Sequence, residues 1–173
     1  DFHQHPGMIN MHGIFQNHNK KKFEIIGFYY GDIKKDQMHY KIKKNFDEFY
    51  YVDELSDEEI AQLARKNKID IAVNRSGHTD KARGNIFSYR PAPIQINYLG
   101  YPGTLGQEGI DYIIADKFVI PERYSSFYLE NIIYFSDCFY PKDNYRKKSQ
   151  KKFSRSYFEI DEDSFVFCSF NNS

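Results

Sequence analysis

Short β-branched and aromatic runs that alternate with helix-like segments predict an α/β fold built on a mostly parallel sheet. Three observations carry the prediction. Apolar runs of strand length, bounded by turn residues, fall at 23–30, 49–52, 69–73, 94–99, 112–115 and 132–135. An amphipathic helix with both ends marked lies between the second and third of them. The remaining gaps leave room for crossovers, so the strands connect as βαβ units with helices on both faces of the sheet.

Residues 8–19 place Met8, Ile9, Met11, Ile14 and Phe15 close to helical spacing, after Pro6 and Gly7, which suit a helix start. The run 23–30 (FEIIGFYY) is nearly continuous, bounded by three lysines and by Gly31-Asp32, and reads as a buried strand. Residues 33–46 are lysine-rich with sparse apolar positions, which predicts a surface helix. Ser56 and Glu59 make a capping box: the Ser56 hydroxyl accepts from the Glu59 N–H, and the Glu59 carboxylate reaches back to the Ser56 N–H. Asp57 and Glu58 sit at the positive end of that helix and Arg65, Lys66 and Lys68 at its negative end, with Ile60, Leu63 and Ala64 as its apolar stripe. A short helix through Ile86 and Phe87 precedes the strand ending at Gly100. Seven Lys or Arg side chains between 142 and 155 have few aliphatic neighbours and read as a solvated linker. Residues 165–170 resume as a buried strand. The chain opens on Asp1 without a Met and stops at Ser173 just past that apolar run, which predicts a piece of a longer protein.

Of the 173 residues, 40% are hydrophobic, 18% aromatic and 28% charged, enough to build a core. Twenty-four basic residues balance 24 acidic ones, so there is no general electrostatic grip on nucleic acid or on an anionic membrane. No apolar run approaches the roughly 18 residues of a membrane span. No basic-then-apolar leader opens the chain, and a cytoplasmic location is expected. Cys138 and Cys168 lack C-x-x-C spacing, so they are expected as reduced, mostly buried thiols.

Ligands of open α/β sheets bind beyond the carboxyl ends of the strands, which selects three loops. The first, at residues 1–7, holds Asp1, His3 and His5. His3 and His5 lack further ligands at zinc spacing. His5, beside Pro6, suits a hydrogen-bond donor, a general acid or base, or a packed loop histidine. The second, residues 74–83, offers His78, Thr79, Lys81 and Arg83 as donors for an anionic or sugar-like ligand, or as a solvated loop. The third, Leu99-Gly100-Tyr101-Pro102-Gly103-Thr104, sets two glycines beside a proline, so that backbone N–H groups can approach a ligand. It is neither a Walker loop nor a G-x-G-x-x-G fingerprint.

The stretch RPAPIQINYLGYPGTLG at 90–106, followed by DYIIAD at 111–116, resembles the catalytic region of the O-linked N-acetylglucosamine transferases and the SPINDLY-type proteins. Three more segments agree in order: the opening DFHQHP with the family's DFxxHP, residues 74–83 with its NGHT…AR loop, where Ser76 replaces the usual Asn, and VFCSFNN at 166–172 with the strand that opens its second lobe. The resemblance implies a two-lobed, GT-B type glycosyltransferase. Residues 1–140 would be its Rossmann-like N-terminal lobe, 141–160 a basic linker, and 161–173 the first strand of a truncated nucleotide-binding lobe. It implies inverting, metal-independent transfer of N-acetylglucosamine from UDP-GlcNAc to Ser or Thr hydroxyls of proteins, without a cofactor, and tetratricopeptide repeats upstream. Transfer of fucose from GDP-fucose and a non-catalytic scaffold are the alternatives. By the same resemblance His5 and Asp1 are catalytic-site residues. Pro6, His78, Thr79, Leu99, Gly100, Tyr101, Pro102, Gly103 and Thr104 are implied as substrate-binding, the last six in the loop beside the sugar, and Asn172 as nucleotide-binding.

Overall fold

A computed structural model of the chain describes residues 2–31, 33–143, 147 and 149–169. Two compact units divide it, Asp1–Asp143 and Asn144–Ser173. In the first, the elements run α1 (Pro6–Asn17), β1 (Ile26–Tyr29), α2 (Gln37–Lys43), β2 (Glu48–Tyr51), α3 (Asp57–Lys66), β3 (Ile71–Asn74), α4 (Asn85–Ser88), β4 (Ile94–Asn97), β5 (Tyr112–Ala115) and β6 (Asn131–Tyr134). Every strand pair is parallel. The ladders form two hydrogen-bonded sheets, β1-β2 and β3-β4-β5-β6. The predicted α/β class and parallel pairing are therefore present, in two ladders rather than one.

Side-chain chemistry explains where the elements begin. Pro6 takes the first position of α1, where no intrahelical N–H bond is lost. The Ser56/Glu59 capping box forms in full: Ser56 N–H donates to Glu59 Oε2 at 2.7 Å, and Glu59 N–H donates to Ser56 Oγ at 3.2 Å. Asp36 caps α2 by accepting from the His39 N–H at 2.8 Å. That helix is only half a surface element, because His39 and Ile42 are fully buried. β1 starts three residues later than predicted, since a turn at Asn19 captures the N–H groups of Lys22 and Phe23 and leaves Phe23 61% exposed.

Two apolar clusters lock the helices to the strands. One gathers Phe2, Met8, Met11 and Phe15 around Tyr29, Ile42, Phe46, Leu99 and Phe139. The other sets Ile60, Ile86 and Phe87 against Val52, Leu105 and Ile110. Carboxylates close the connections. Asp116 accepts the N–H groups of Phe118, Val119 and Phe139, and these bonds hold its pKa below the ordinary value.

The second unit departs from expectation. Residues 165–169 form no strand, and Phe165 and Phe167 are exposed. A parallel strand needs a neighbour to pair with, and no other strand lies among the described residues of this unit. Phe170 and the following residues lie outside the described ones. Residues 149–160 carry one short 3-10 turn, Ser156–Phe158, beneath an aromatic cluster of Phe153, Tyr157 and Phe158. The cysteines also differ from the prediction, for both Cys138 and Cys168 are exposed. Each sits in an irregular segment rather than on the inner face of a strand, so neither packs into a core.

Replacing Ser56 with Ala removes the bonds that its Oγ makes with the Glu59 N–H and carboxylate, leaves the N–H of residue 56 to donate to Glu59, and is expected to lower unfolding stability by about 1 kcal/mol, read from urea titration with an unchanged native circular-dichroism spectrum.

Candidate active site

The loop ahead of α1 is tied down at several points before it reaches His5. Phe2 is buried, and its carbonyl is held by His39 Nδ1 at 2.8 Å. His3, also buried, bonds through Nδ1 to the Tyr29 hydroxyl at 2.9 Å. The Gln4 N–H donates to Asp36 Oδ2 at 2.8 Å. His5 is then the N-cap of α1. Its carbonyl receives the Met8 and Ile9 N–H groups, and its Nδ1 accepts the Gly7 N–H at 3.3 Å. A ring that accepts at Nδ1 carries its neutral-form proton on Nε2, so the free edge of His5 presents a donor. Desolvation is the first cause that lowers the His5 pKa, and the nearby Arg75 guanidinium adds to it.

The other two loops are built on a pair of asparagines. Asn74 and Asn97 end β3 and β4, face each other in register, and are buried. Asn74 Oδ1 accepts the Ser76 and Gly77 N–H groups at 3.0 Å each, which turns the chain sharply after β3. Asn97 Nδ2 donates to the carbonyls of Tyr101 and Gly103 at 3.1 and 3.2 Å, which folds the loop after β4 back on its own strand. The two loops meet face to face. A Cβ on Gly100 would lie 1.9 Å from the Arg75 carbonyl oxygen, and one on Gly77, whose φ is +57°, would lie 2.3 Å from Tyr101 Cβ. Only glycine allows this approach. Tyr101 packs edge-on against His78 at 5.3 Å. Leu99 takes a φ of 93°, a conformation that ordinary side chains avoid, and its side chain is fixed in the core.

The structure thus brings His78, Leu99, Gly100, Tyr101 and Gly103 to one end of the parallel ladder. The His5 loop joins them through Arg75, whose Nη2 lies 3.6 Å from where a Gly7 Cβ would be. Other predicted groups are committed elsewhere. Thr104 Oγ1 donates to Glu130 Oε2 at 2.7 Å, and Thr79 Oγ1 donates to the Ser76 carbonyl at 2.7 Å. Arg83 pairs with Asp57 at 2.6 Å and donates to the Leu55 carbonyl, which ties the loop to the start of α3. Pro6 and Pro102 are exposed beside the site. Asp1 and Asn172 lie outside the described residues. Among the described residues no group of three His, Cys, Asp or Glu side chains is placed to hold a metal ion, and no helix is long and apolar enough to cross a membrane.

Sequence reasoning did not single out Asn74, Asn97, Glu130 or Arg75. The two asparagines were detectable as polar residues closing otherwise apolar strands. Glu130 gave no local sign, because its partners Thr104 and Leu105 lie a whole βαβ crossover away. Arg75 stood inside a loop read for its histidine and threonine.

Glycine turns braced by buried amides, with an imidazole beside them, stand at the carboxyl ends of the parallel strands, where open α/β sheets in general take their ligands. The chain belongs to glycosyl transferase family 41, whose model matches residues 1–152. It is 34% identical over 177 residues to the probable UDP-N-acetylglucosamine–peptide N-acetylglucosaminyltransferase SEC of Arabidopsis thaliana, covering 99% of this chain and 18% of that protein. It is 33% identical over 148 residues to the UDP-N-acetylglucosamine–peptide N-acetylglucosaminyltransferase of Caenorhabditis elegans, covering 83% of this chain and 13% of that protein. A point mutant of the Thermobaculum terrenum O-GlcNAc transferase superposes with a TM-score of 0.76 at 27% identity, over 80% of this chain and 26% of its own. The chain therefore spans less than a fifth of the two relatives and about a quarter of the solved protein.

Two outcomes follow from this geometry. Gly100→Ala must push the loops after β3 and β4 apart, and is expected to cost about 2 kcal/mol or more in chemical unfolding. His3 and His5 both have lowered pKa values, led by burial, so the folded form holds them uncharged while the unfolded chain protonates them near 6.5. Stability is then full above about pH 6.5 and declines as the pH falls through the folded values. The double variant His3→Gln/His5→Gln is expected to flatten that part of the thermal-midpoint profile.

Proposed function

We propose that this chain is the N-terminal part of the catalytic region of a glycosyltransferase that moves N-acetylglucosamine from UDP-GlcNAc to Ser or Thr hydroxyls of proteins, with inversion and without a metal. The observation that carries the reading is the meeting of the His5 loop with the two glycine loops at the strand ends, in a chain of family 41. The names of the relatives support the donor and the acceptor class. In this reading the acceptor hydroxyl oxygen bonds to the anomeric carbon as the bond to the diphosphate oxygen breaks; UDP leaves with the electron pair, and the hydroxyl proton passes to the departing diphosphate, directly or through water.

His5 and Asp1 stand at the catalytic position. His5 offers Nε2–H to an oxygen of acceptor or donor, and the cost of desolvating the sugar is offset by fixed donors and dipoles. Backbone from Leu99 through Thr104 lines the sugar, with Pro6, His78 and Thr79 at its rim. Asn172 belongs to the nucleotide side, together with residues from a second lobe that supply charge-assisted bonds to the phosphates. Upstream tetratricopeptide repeats present the acceptor, and the protein works in the cytoplasm.

The test is incubation of the full-length protein with labelled UDP-GlcNAc or labelled GDP-fucose and host lysate, following label into protein. Label from UDP-GlcNAc alone is expected. Label from GDP-fucose alone would replace the sugar assignment, and a folded protein that uses neither would favour a scaffold. His5→Ala is expected to lower turnover at least about 100-fold in a protein that stays folded, with loss of the α1 cap costing about 1 kcal/mol of stability. Unaltered turnover would remove His5 from the site.

A further inference from the structure

We propose that Arg75 is a positioning residue for His5: its guanidinium, set against Gly7 behind the His5 loop and without a carboxylate partner among the described residues, holds the imidazole uncharged with its proton on Nε2. The proposal rests on the reading of His5 as a catalytic-site residue and adds to it which proton that residue carries and what keeps it there.

Arg75 follows the last residue of β3, and Asn74 turns the chain so that the side chain runs under the start of α1. There it meets the face of Phe2, 5.5 Å from the ring centroid, and donates through Nε to Met11 Sδ at 3.1 Å. A cation placed against an aromatic face and a thioether is poorly compensated by comparison with one in a carboxylate pair. Desolvation accordingly brings the Arg75 pKa down to about 10, which still leaves the group charged at neutral pH. Arg83 and Arg90, by contrast, spend their charge on the carboxylates of Asp57 and Asp111.

The position occupied by a Cβ on Gly7 would be 3.4 Å from His5 Nδ1 and 3.6 Å from Arg75 Nη2. The two nitrogens are therefore within about 7 Å of each other, close enough for one positive charge to disfavour another. Among the described residues, the charged or titratable groups that face the His5 ring are Arg75 from the β3 loop and His3 from its own loop at 6.0 Å between centroids. Neither of them favours an imidazolium.

Hydrogen-bond geometry points the same way. Protonation of Nδ1 would set a second N–H against that of Gly7, so the imidazolium loses the bond that caps α1. A ring kept in this state donates through Nε2 and has no lone pair facing outward. It can hold a hydroxyl or phosphate oxygen, but it cannot take the acceptor's proton without releasing Gly7 and changing tautomer. Arg75 and Gly7 together make His5 a donor.

The experiment is long-range 1H–15N spectroscopy of the imidazoles in the labelled full-length protein. His5 in the unmodified sequence is expected to show a protonated Nε2 and a bare Nδ1 at pH 7, and to titrate below 6.5. R75M is expected to raise its midpoint by at least about 0.5 pH units, and R75K to restore it. A proton on Nδ1 in the unmodified sequence, or an R75M titration that does not move, would overturn the proposal. The first of these readings needs no variant and so does not depend on R75M folding. In the full-length protein the acid limb of the rate–pH profile is expected to move upward in R75M by the same interval, whereas a uniform loss at every pH would mark a purely structural role and overturn the proposal. A protein that transfers no sugar would defeat the functional reading and leave the spectroscopic result standing on its own.

Discussion

The backbone carbonyl of Arg75 occupies the space that a side chain on residue 100 would need. That contact brings the ends of β3 and β4 together more closely than their ladder alone requires, and the site depends on it. Because the two loops touch main chain to main chain, Tyr101 can lie over Gly77 and against His78, and Leu99 can turn its side chain into the core at a left-handed backbone angle. The buried amides of Asn74 and Asn97 make the arrangement durable, since each satisfies backbone groups that a sharp turn would otherwise strand away from water.

The acidic side chains do a related job elsewhere in the first unit. Asp36 receives N–H groups from Gln4 and His39, Asp47 from Ile25, Asp111 from Gln95, Asp116 from three loop residues, and Glu130 from Leu105. These are charge-assisted bonds to main chain. They join positions far apart in sequence: Asp36 links the His5 loop to the start of α2, and Glu130 links the third site loop to the residue before β6. A composition with equal numbers of acids and bases thus conceals an uneven division of labour. Many acids hold backbone in place, whereas most lysines remain in solvent.

The fold was legible wherever a local rule decided it. The Ser56/Glu59 box, Pro6 at the head of α1 and the β-branched runs of β1, β4 and β5 each rest on residues within one turn or one strand. Strand ends shifted by one to three residues, as at Ile26, because turn hydrogen bonds compete with the ladder for the same N–H groups. The buried half of α2 was not legible, since His39 is satisfied by Phe2 and Tyr51, contacts that no periodicity reveals. At the site, motif residues identified the loops, but their division into members facing the cleft and members braced inward was set by Glu130, Asp57 and the asparagines. Those braces come from neighbouring elements, which a reading of one loop at a time does not see. Residues 165–169, expected in a strand, form none for a related reason: apolar composition nominates a strand, but a pairing partner is what forms it.

All six strands pair in parallel, so the described ladders contain no hairpin that could form on its own. Each ladder must await the folding of the crossover between its strands, and the entropy of closing that loop is lost before any pairing compensates for it. The time from unfolded chain to native contacts is therefore governed by topology rather than by the strength of the core. During synthesis, the β3–β4 contact that creates the site cannot form until the segment through Gly100 has emerged, so the chain passes through a stage with apolar strands made and not yet shielded, when it has most need of a chaperone.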